Sequence, residues 1–192
     1  MKRIISGVLA LAVLAPTLSL AQQNDPPRSK AAKSQNAQSV APSDISGKAT
    51  IMDWPAAEGA QPVQLRAGTN GWVCYPDMPT TKGNDPMCLD AAWQKWAEAL
   101  MSKTPPGVSS AGVAYMMAPG GGWGSNTDPY ATKDTPDNEW GHDPPHIMLL
   151  VPDAAVLQGM PKHRPANGGP WVMWSGTPYV HVMVPVAPSK HQ

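Results

Sequence analysis

The chain reads as an α+β domain: a mainly antiparallel sheet with one main amphipathic helix packed on a face and one disulfide. Three observations predict this. Short strand candidates follow one another without the β-α alternation that marks a parallel doubly wound sheet. A single segment carries helical periodicity. The 23 Pro and 17 Gly among 192 residues cut the chain into short elements joined by turns. A sheet of roughly five to seven strands is expected.

The first 21 residues have the form of an export signal. Lys2 and Arg3 precede an apolar stretch, Ile4 to Ala15, and Ser19-Leu20-Ala21 places small residues where signal peptidase cuts. The apolar run is too short to cross a bilayer as a stable helix, so no membrane anchor is expected after cleavage. Residues 22–47 are rich in Gln, Asn, Ser, Ala, Pro and Lys and read as a disordered polar tether. A single globular domain then spans 48–188, with a short tail over 189–192.

Within that domain, Ala49 to Trp54, Val63 to Arg66 and Gly71 to Tyr75 are strand candidates bounded by Pro or Gly. The helix is placed over Pro86–Ser102, with Asp85 as N-cap and Pro105-Pro106 barring its continuation. Leu89, Trp93, Trp96 and Leu100 form its apolar stripe. Gly112 to Met117 follows as a buried strand. Ala118 to Pro145 reads as a long irregular loop, glycine-rich at its start and acidic beyond, expected to be mobile and to border any ligand site. His146 to Val151, Trp171 to Trp174 and Tyr179 to Val184 complete the strands, the last two paired as an antiparallel hairpin.

Composition narrows the function. Lys plus Arg and Asp plus Glu each total 14, and cleavage of the signal leaves 12 basic against 14 acidic residues. Nothing here provides the basic footprint of a nucleic-acid or anionic-membrane binder. The two cysteines, Cys74 and Cys88, are expected to form a disulfide in an oxidising compartment, periplasmic or secreted. Gly120 to Gly124 lacks the Lys of a phosphate-binding loop, and Gly-x-Ser-x-Gly does not occur.

One internal echo carries chemistry. Pro145-His146-Ile147-Met148 and Val180-His181-Val182-Met183 each place His and Met two apart on a strand, hence on one face. With the strands side by side, His146, Met148, His181 and Met183 would offer two imidazoles and two thioethers, a soft donor set suited to copper. The competing readings are core packing by these residues, and an enzyme using His146 or His181 as general acid/base with a loop carboxylate such as Asp143. The leading expectation is a binding or interaction domain for a small ligand, metal or protein partner. Thr69-Asn70-Gly71-Trp72-Val73-Cys74, Asp85-Pro86-Met87-Cys88-Leu89-Asp90, Ser125-Asn126-Thr127-Asp128-Pro129 and Pro144-Pro145-His146-Ile147-Met148 together resemble uncharacterised exported bacterial proteins. That resemblance implies export and no particular activity.

Overall fold

A computed structural model describes residues 29–57 and 59–186. The signal over 1–21, the first part of the tether and the tail over 189–192 lie outside them. Ten strands form: β1 Thr50–Asp53, β2 Val63–Arg66, β3 Val73–Tyr75, β4 Met87–Leu89, β5 Gly112–Met116, β6 Gly122–Ser125, β7 Trp140–Asp143, β8 His146–Leu150, β9 Trp171–Met173 and β10 His181–Pro185. Three helices accompany them: α1 Lys30–Gln38, α2 Ser43–Ser46 and α3 Ala91–Met101. Eight strands build one sheet in the order β2-β1-β3-β4-β5-β8-β10-β9, while β6 and β7 pair separately. Every pairing is antiparallel except β1 with β3. The fold is α+β, and the hairpin expected between Trp171 and Val184 is present as β9–β10.

Both faces of the sheet are covered. On one face, Ile51, Cys74 and Cys88 pack with Ala37 and Val40 from the N-terminal segment, and Val172 and Val182 pack with Leu157. On the other, Leu89, Ala114, Met148 and Met183 pack with Trp93 and Trp96 of α3. The alternation of β5 shows the sorting: Ala114 joins the α3 side and Tyr115 the other.

Three sequence expectations need correction. Residues 29–47 are not a tether. Ser29 caps α1 by accepting the Ala32 amide at 3.1 Å, and Ala37 and Val40 are fully buried. This helix has only small apolar contacts, so its composition resembles that of a linker. Polar bonds hold it instead. Lys33 Nζ meets Asp53 Oδ2 at 2.6 Å, and Arg66 Nη1 donates to Gln38 Oε1 at 2.6 Å.

The main helix starts five residues later than its pattern suggested. Cys74 and Cys88 face each other across β3 and β4 and are disulfide-bonded, so Met87–Leu89 is extended. Asp90, not Asp85, is the N-cap and accepts the Ala92 and Trp93 amides. Leu89 therefore leaves the helical stripe, while Trp93 and Trp96 stay buried in the core.

Ala118 to Pro145 is not wholly irregular. It contains the β6–β7 hairpin, and its Ser125, Asn126, Asn138 and Asp143 are buried. The tight approach at its base requires glycine. Gly121 has φ +60°, and a Cβ there would lie 2.0 Å from the Asp143 carbonyl oxygen. Few large apolar residues mark this hairpin, since glycine and buried polar side chains provide its contacts.

Candidate functional site

Strand register decides which side chains share the α3 face. Met116 of β5 lies opposite His146 of β8, which lies opposite Pro185 of β10. One row along, Ala114, Met148 and Met183 are in line. In the next row His181 faces Met173 of β9. The two His-x-Met segments run antiparallel, so their repetition generates a local two-fold pattern. Met148 and Met183 form the centre, His146 and His181 flank it, and Met116 and Met173 lie outside them.

All six side chains line one cavity of about 340 Å³. Trp93, Trp96 and Leu100 of α3 form one wall, and Trp123 and Ser125 of β6 another. Seven of the eleven methionines and five of the eight tryptophans border this space. The four residues singled out from the sequence thus share one face and one cavity. They do not surround a single point. The register sets the two histidines at opposite ends of the methionine pair, four residue steps apart, or roughly 13 Å along the strand. Donors of one ion must lie within about 4 Å of each other, because each bond is only about 2 Å long. Sequence reasoning missed Met116 and Met173, whose positions depend on long-range pairing. Nothing in their own segments marks them.

The histidines are prepared alike. Nδ1 of His146 lies 2.6 Å from the Pro144 carbonyl, and Nδ1 of His181 lies 2.9 Å from the Tyr179 carbonyl. A carbonyl only accepts, so Nδ1 carries the proton in each ring and Nε2 keeps its lone pair. Both residues are almost fully buried, at 2% and 1% exposure. Burial holds His146 below the usual imidazole range and pushes His181 down to about 4. Both are neutral at neutral pH. His181 also meets Trp93, Trp96 and Trp174 edge to face, with ring centroids 5.0–5.4 Å apart.

Among the described residues, three buried side-chain nitrogens have no hydrogen-bond partner: His146 Nε2, Trp93 Nε1 and Trp96 Nε1. All three belong to residues lining the cavity. Buried polar groups in folded proteins are nearly always paired, so these three nitrogens stand out.

The carboxylates behave differently from the acid–base expectation. Asp143 lines the cavity, yet its Oδ1 accepts from Arg164 Nε at 2.8 Å, and neither histidine is oriented by a carboxylate. The pair named from the sequence is therefore not assembled. Beside the cavity, Asp77 and Asp85 tie one short loop together: the Asp85 amide donates to Asp77 Oδ1 at 2.8 Å, and the Met78 amide to Asp85 Oδ1 at 3.2 Å. Burial, with a smaller push from the Asp85 carboxyl against the pull of the Asp85 amide, raises Asp77 to about 7.

A pH prediction follows from Asp77 and His181. Asp77 holds in the folded state a proton that the unfolded chain releases near 3.8, so its contribution to stability is lost as pH rises towards 7. His181 has the opposite sign: its contribution is present above 6.5 and is lost as pH falls towards 4. Between these limits the two oppose, each with a slope of at most about 1.4 kcal/mol per pH unit. Asp77→Asn should therefore unmask a stability that climbs with pH from 4 to 6.5 in urea titrations. A variant profile parallel to that of the wild type would show that Asp77 titrates as an ordinary carboxyl.

Comparison with protein-family models, curated proteins and solved structures finds no match to this chain. Among the described residues, no helix is long and apolar enough to cross a membrane, and no group of three His, Cys, Asp or Glu is gathered to hold a metal ion.

Proposed function

We propose that the protein is an exported binding domain, periplasmic or secreted, and that it holds a soft monovalent metal ion such as Cu(I). The observation that carries this is the unpartnered, lone-pair Nε2 of His146 in a row of thioethers. Met116 stands directly across from it, Met148 two residues along, and Met183 diagonally. Directly opposed Cβ atoms lie about 5 Å apart and diagonal ones about 7 Å, distances that flexible Met side chains bridge to a common ion.

The donor chemistry selects the metal. Cys74 and Cys88 are consumed by the disulfide, so thioether and imidazole are the soft donors left. These neutral ligands suit Cu(I) and offset none of the charge of a hard divalent ion, which prefers carboxylate and carbonyl oxygen. The carbonyl held by each Nδ1–H is the kind of partner that fixes a metal-binding imidazole in its tautomer. His181, in T-shaped contact with three tryptophans, stands outside this set.

Silver(I) is the appropriate probe, because keeping copper reduced would threaten the disulfide. Calorimetric titration of the folded protein should show one Ag(I) per chain. His146→Ala should weaken binding about a hundredfold, and Met116→Leu, a volume-conserving change, about tenfold. His181→Ala should leave it within about threefold. Absence of Ag(I) binding, or indifference to His146→Ala, would overturn the reading.

A further inference from the structure

The cavity is not equally open along its length. Around α3 the rings of Trp93, Trp96 and His181 pack on one another and are sealed from an occupant. Towards the β6–β7 hairpin the lining opens: Trp54, Met78, Asp85, Met87 and Trp123 are half-buried, and Thr81 is exposed. These residues are tied to one another. Trp54 stacks on Tyr75 with ring centroids 4.6 Å apart, and Tyr75 is the register partner of Met87. The Trp54 indole donates to the Pro76 carbonyl at 2.7 Å, which fastens it to the chain leading into Met78. Asp85 lies against Gly122, Gly83 bridges to the same glycine, and Trp123 follows it in β6.

The charge of this open part has one sign. No Lys or Arg lines the cavity, and its carboxylates are Asp85 and Asp143. Asp143 is neutralised by Arg164 at 2.8 Å. Asp85 has no ion-pair partner among the described residues, and its Oδ1 accepts only the Met78 amide at 3.2 Å. Glycine leaves it room: a Cβ on Gly122 would lie 2.9 Å from Asp85 Cβ and 3.3 Å from Oδ2. An uncharged apolar occupant would strip water from this carboxylate and replace it with nothing, and an anion would be repelled. The aromatic wall has the same preference. Lys82 makes no ion pair among the described residues, and its ammonium lies over the Trp123 ring, 4.1 Å from the centroid. The electron-rich face of an indole attracts cations, and here the chain's own ammonium uses it. Lys82 is exposed and outside the lining, so its ammonium is free to leave the ring for water.

We infer that the open part of the cavity is a second binding site, for an organic ammonium ion carried on a small apolar body. The positive group meets the Asp85 carboxylate and the Trp123 ring, and the apolar body lies along Met78, Met87 and Trp54. A space of about 340 Å³ is within the range that encloses small organic molecules. The site rests on Asp85 and Trp123 and not on His146, so it goes beyond the metal reading and stands apart from it.

Three ring-matched probes test it by calorimetry on the intact protein at neutral pH: benzylamine, which is protonated there, benzyl alcohol and benzoate. Benzylamine should bind about tenfold more tightly than benzyl alcohol, and benzoate more weakly than either. Asp85→Asn deletes the charge and keeps an oxygen for the Met78 amide. It should bring benzylamine down to the affinity of benzyl alcohol while leaving benzyl alcohol within about threefold. Circular dichroism and a melting curve establish that this variant is folded. Lys82→Ala removes the competing ammonium and should strengthen benzylamine about threefold, a gain that damage to the fold does not produce. Failure of benzylamine to bind, equal binding of benzylamine and benzyl alcohol to the wild type, a preference for benzylamine that survives Asp85→Asn, or no gain in Lys82→Ala would each overturn the inference.

Discussion

Trp93→Ala should lower the free energy of unfolding by about 3–5 kcal/mol, the largest effect expected of a single core substitution in this protein. Trp93 is 1% exposed and joins α3 to the sheet through Leu89, Ala114 and Met148 in one cluster. Its ring also lies 4.7 Å from that of Trp96 and 5.3 Å from His181, so its loss would loosen two neighbours that line the cavity. The variant Trp93→Phe sharpens the test. It retains most of the apolar body and removes an indole N–H that has no partner. Removing an unsatisfied donor recovers part of its desolvation cost, so Trp93→Phe should lose less than about 1.5 kcal/mol. Urea unfolding of both variants measures the difference. Equal losses would mean that the N–H is bonded in solution.

Asp90→Ala should cost about 3 kcal/mol, because one carboxylate does two jobs. Oδ1 caps α3, accepting the Ala92 amide at 3.0 Å and the Trp93 amide at 2.9 Å. Oδ2 accepts the Val113 amide at 2.6 Å, binding the start of β5 to the start of the helix. A lost N-cap is worth about 1 kcal/mol, and a strand amide left without its charged acceptor adds roughly 2 more. Asp90→Asn keeps a capping oxygen and offers an NH₂ where Val113 needs an acceptor, so it should retain the cap and lose the remainder. Hydrogen exchange checks the assignment: Val113 should exchange much faster in both variants, and the first turn of α3 only in Asp90→Ala.

Seven of the eight strands of the main sheet were legible because they carry their evidence locally, in β-branched and apolar runs ended by Pro or Gly. The fourth strand was not. Met87-Cys88-Leu89 continues a convincing helical spacing, yet it is extended, paired with β3 and β5 and tied by Cys88 to Cys74 directly opposite in register. The helix α1 was hidden for another reason. Its side chains make long-range polar bonds, and hydrophobic patterning has nothing to say about an Asn that fits one particular loop. Ser125 and Asn126 show the same effect in the β6–β7 region. Asn126 accepts from the Trp171 indole at 2.8 Å, and the Ser125 carbonyl accepts from the Trp174 indole at 2.8 Å.

At the candidate site, the same-face placement of His and Met followed from strand periodicity alone. The separation of the two histidines did not, because it depends on direction. Parallel strands in register would have set His beside His and Met beside Met. The antiparallel pairing sets only Met148 beside Met183 and sends the histidines to opposite ends. Direction also recruited Met116 and Met173 from neighbouring strands that contain no histidine. Trp174 was expected to end the strand that begins at Trp171, and β9 stops at Met173. It sits beyond β9 at φ +54°, and both tryptophans turn towards the β6–β7 hairpin.

The helix α1 has a consequence for when one part of the cavity lining is set in place. Asn36 accepts the Asp77 amide at 2.7 Å and donates to Asn84 at 2.9 Å, spanning 41 and 48 residues of sequence. Those two positions bracket Met78 and Thr81, which line the cavity, and the second adjoins Asp85, which lines it too. The stretch that emerges early from a ribosome or a translocation channel must therefore wait for the chain as far as Asn84 before it can seat. A protease that trims the protein past Asn36 would unfasten that loop while leaving every lining residue in the chain.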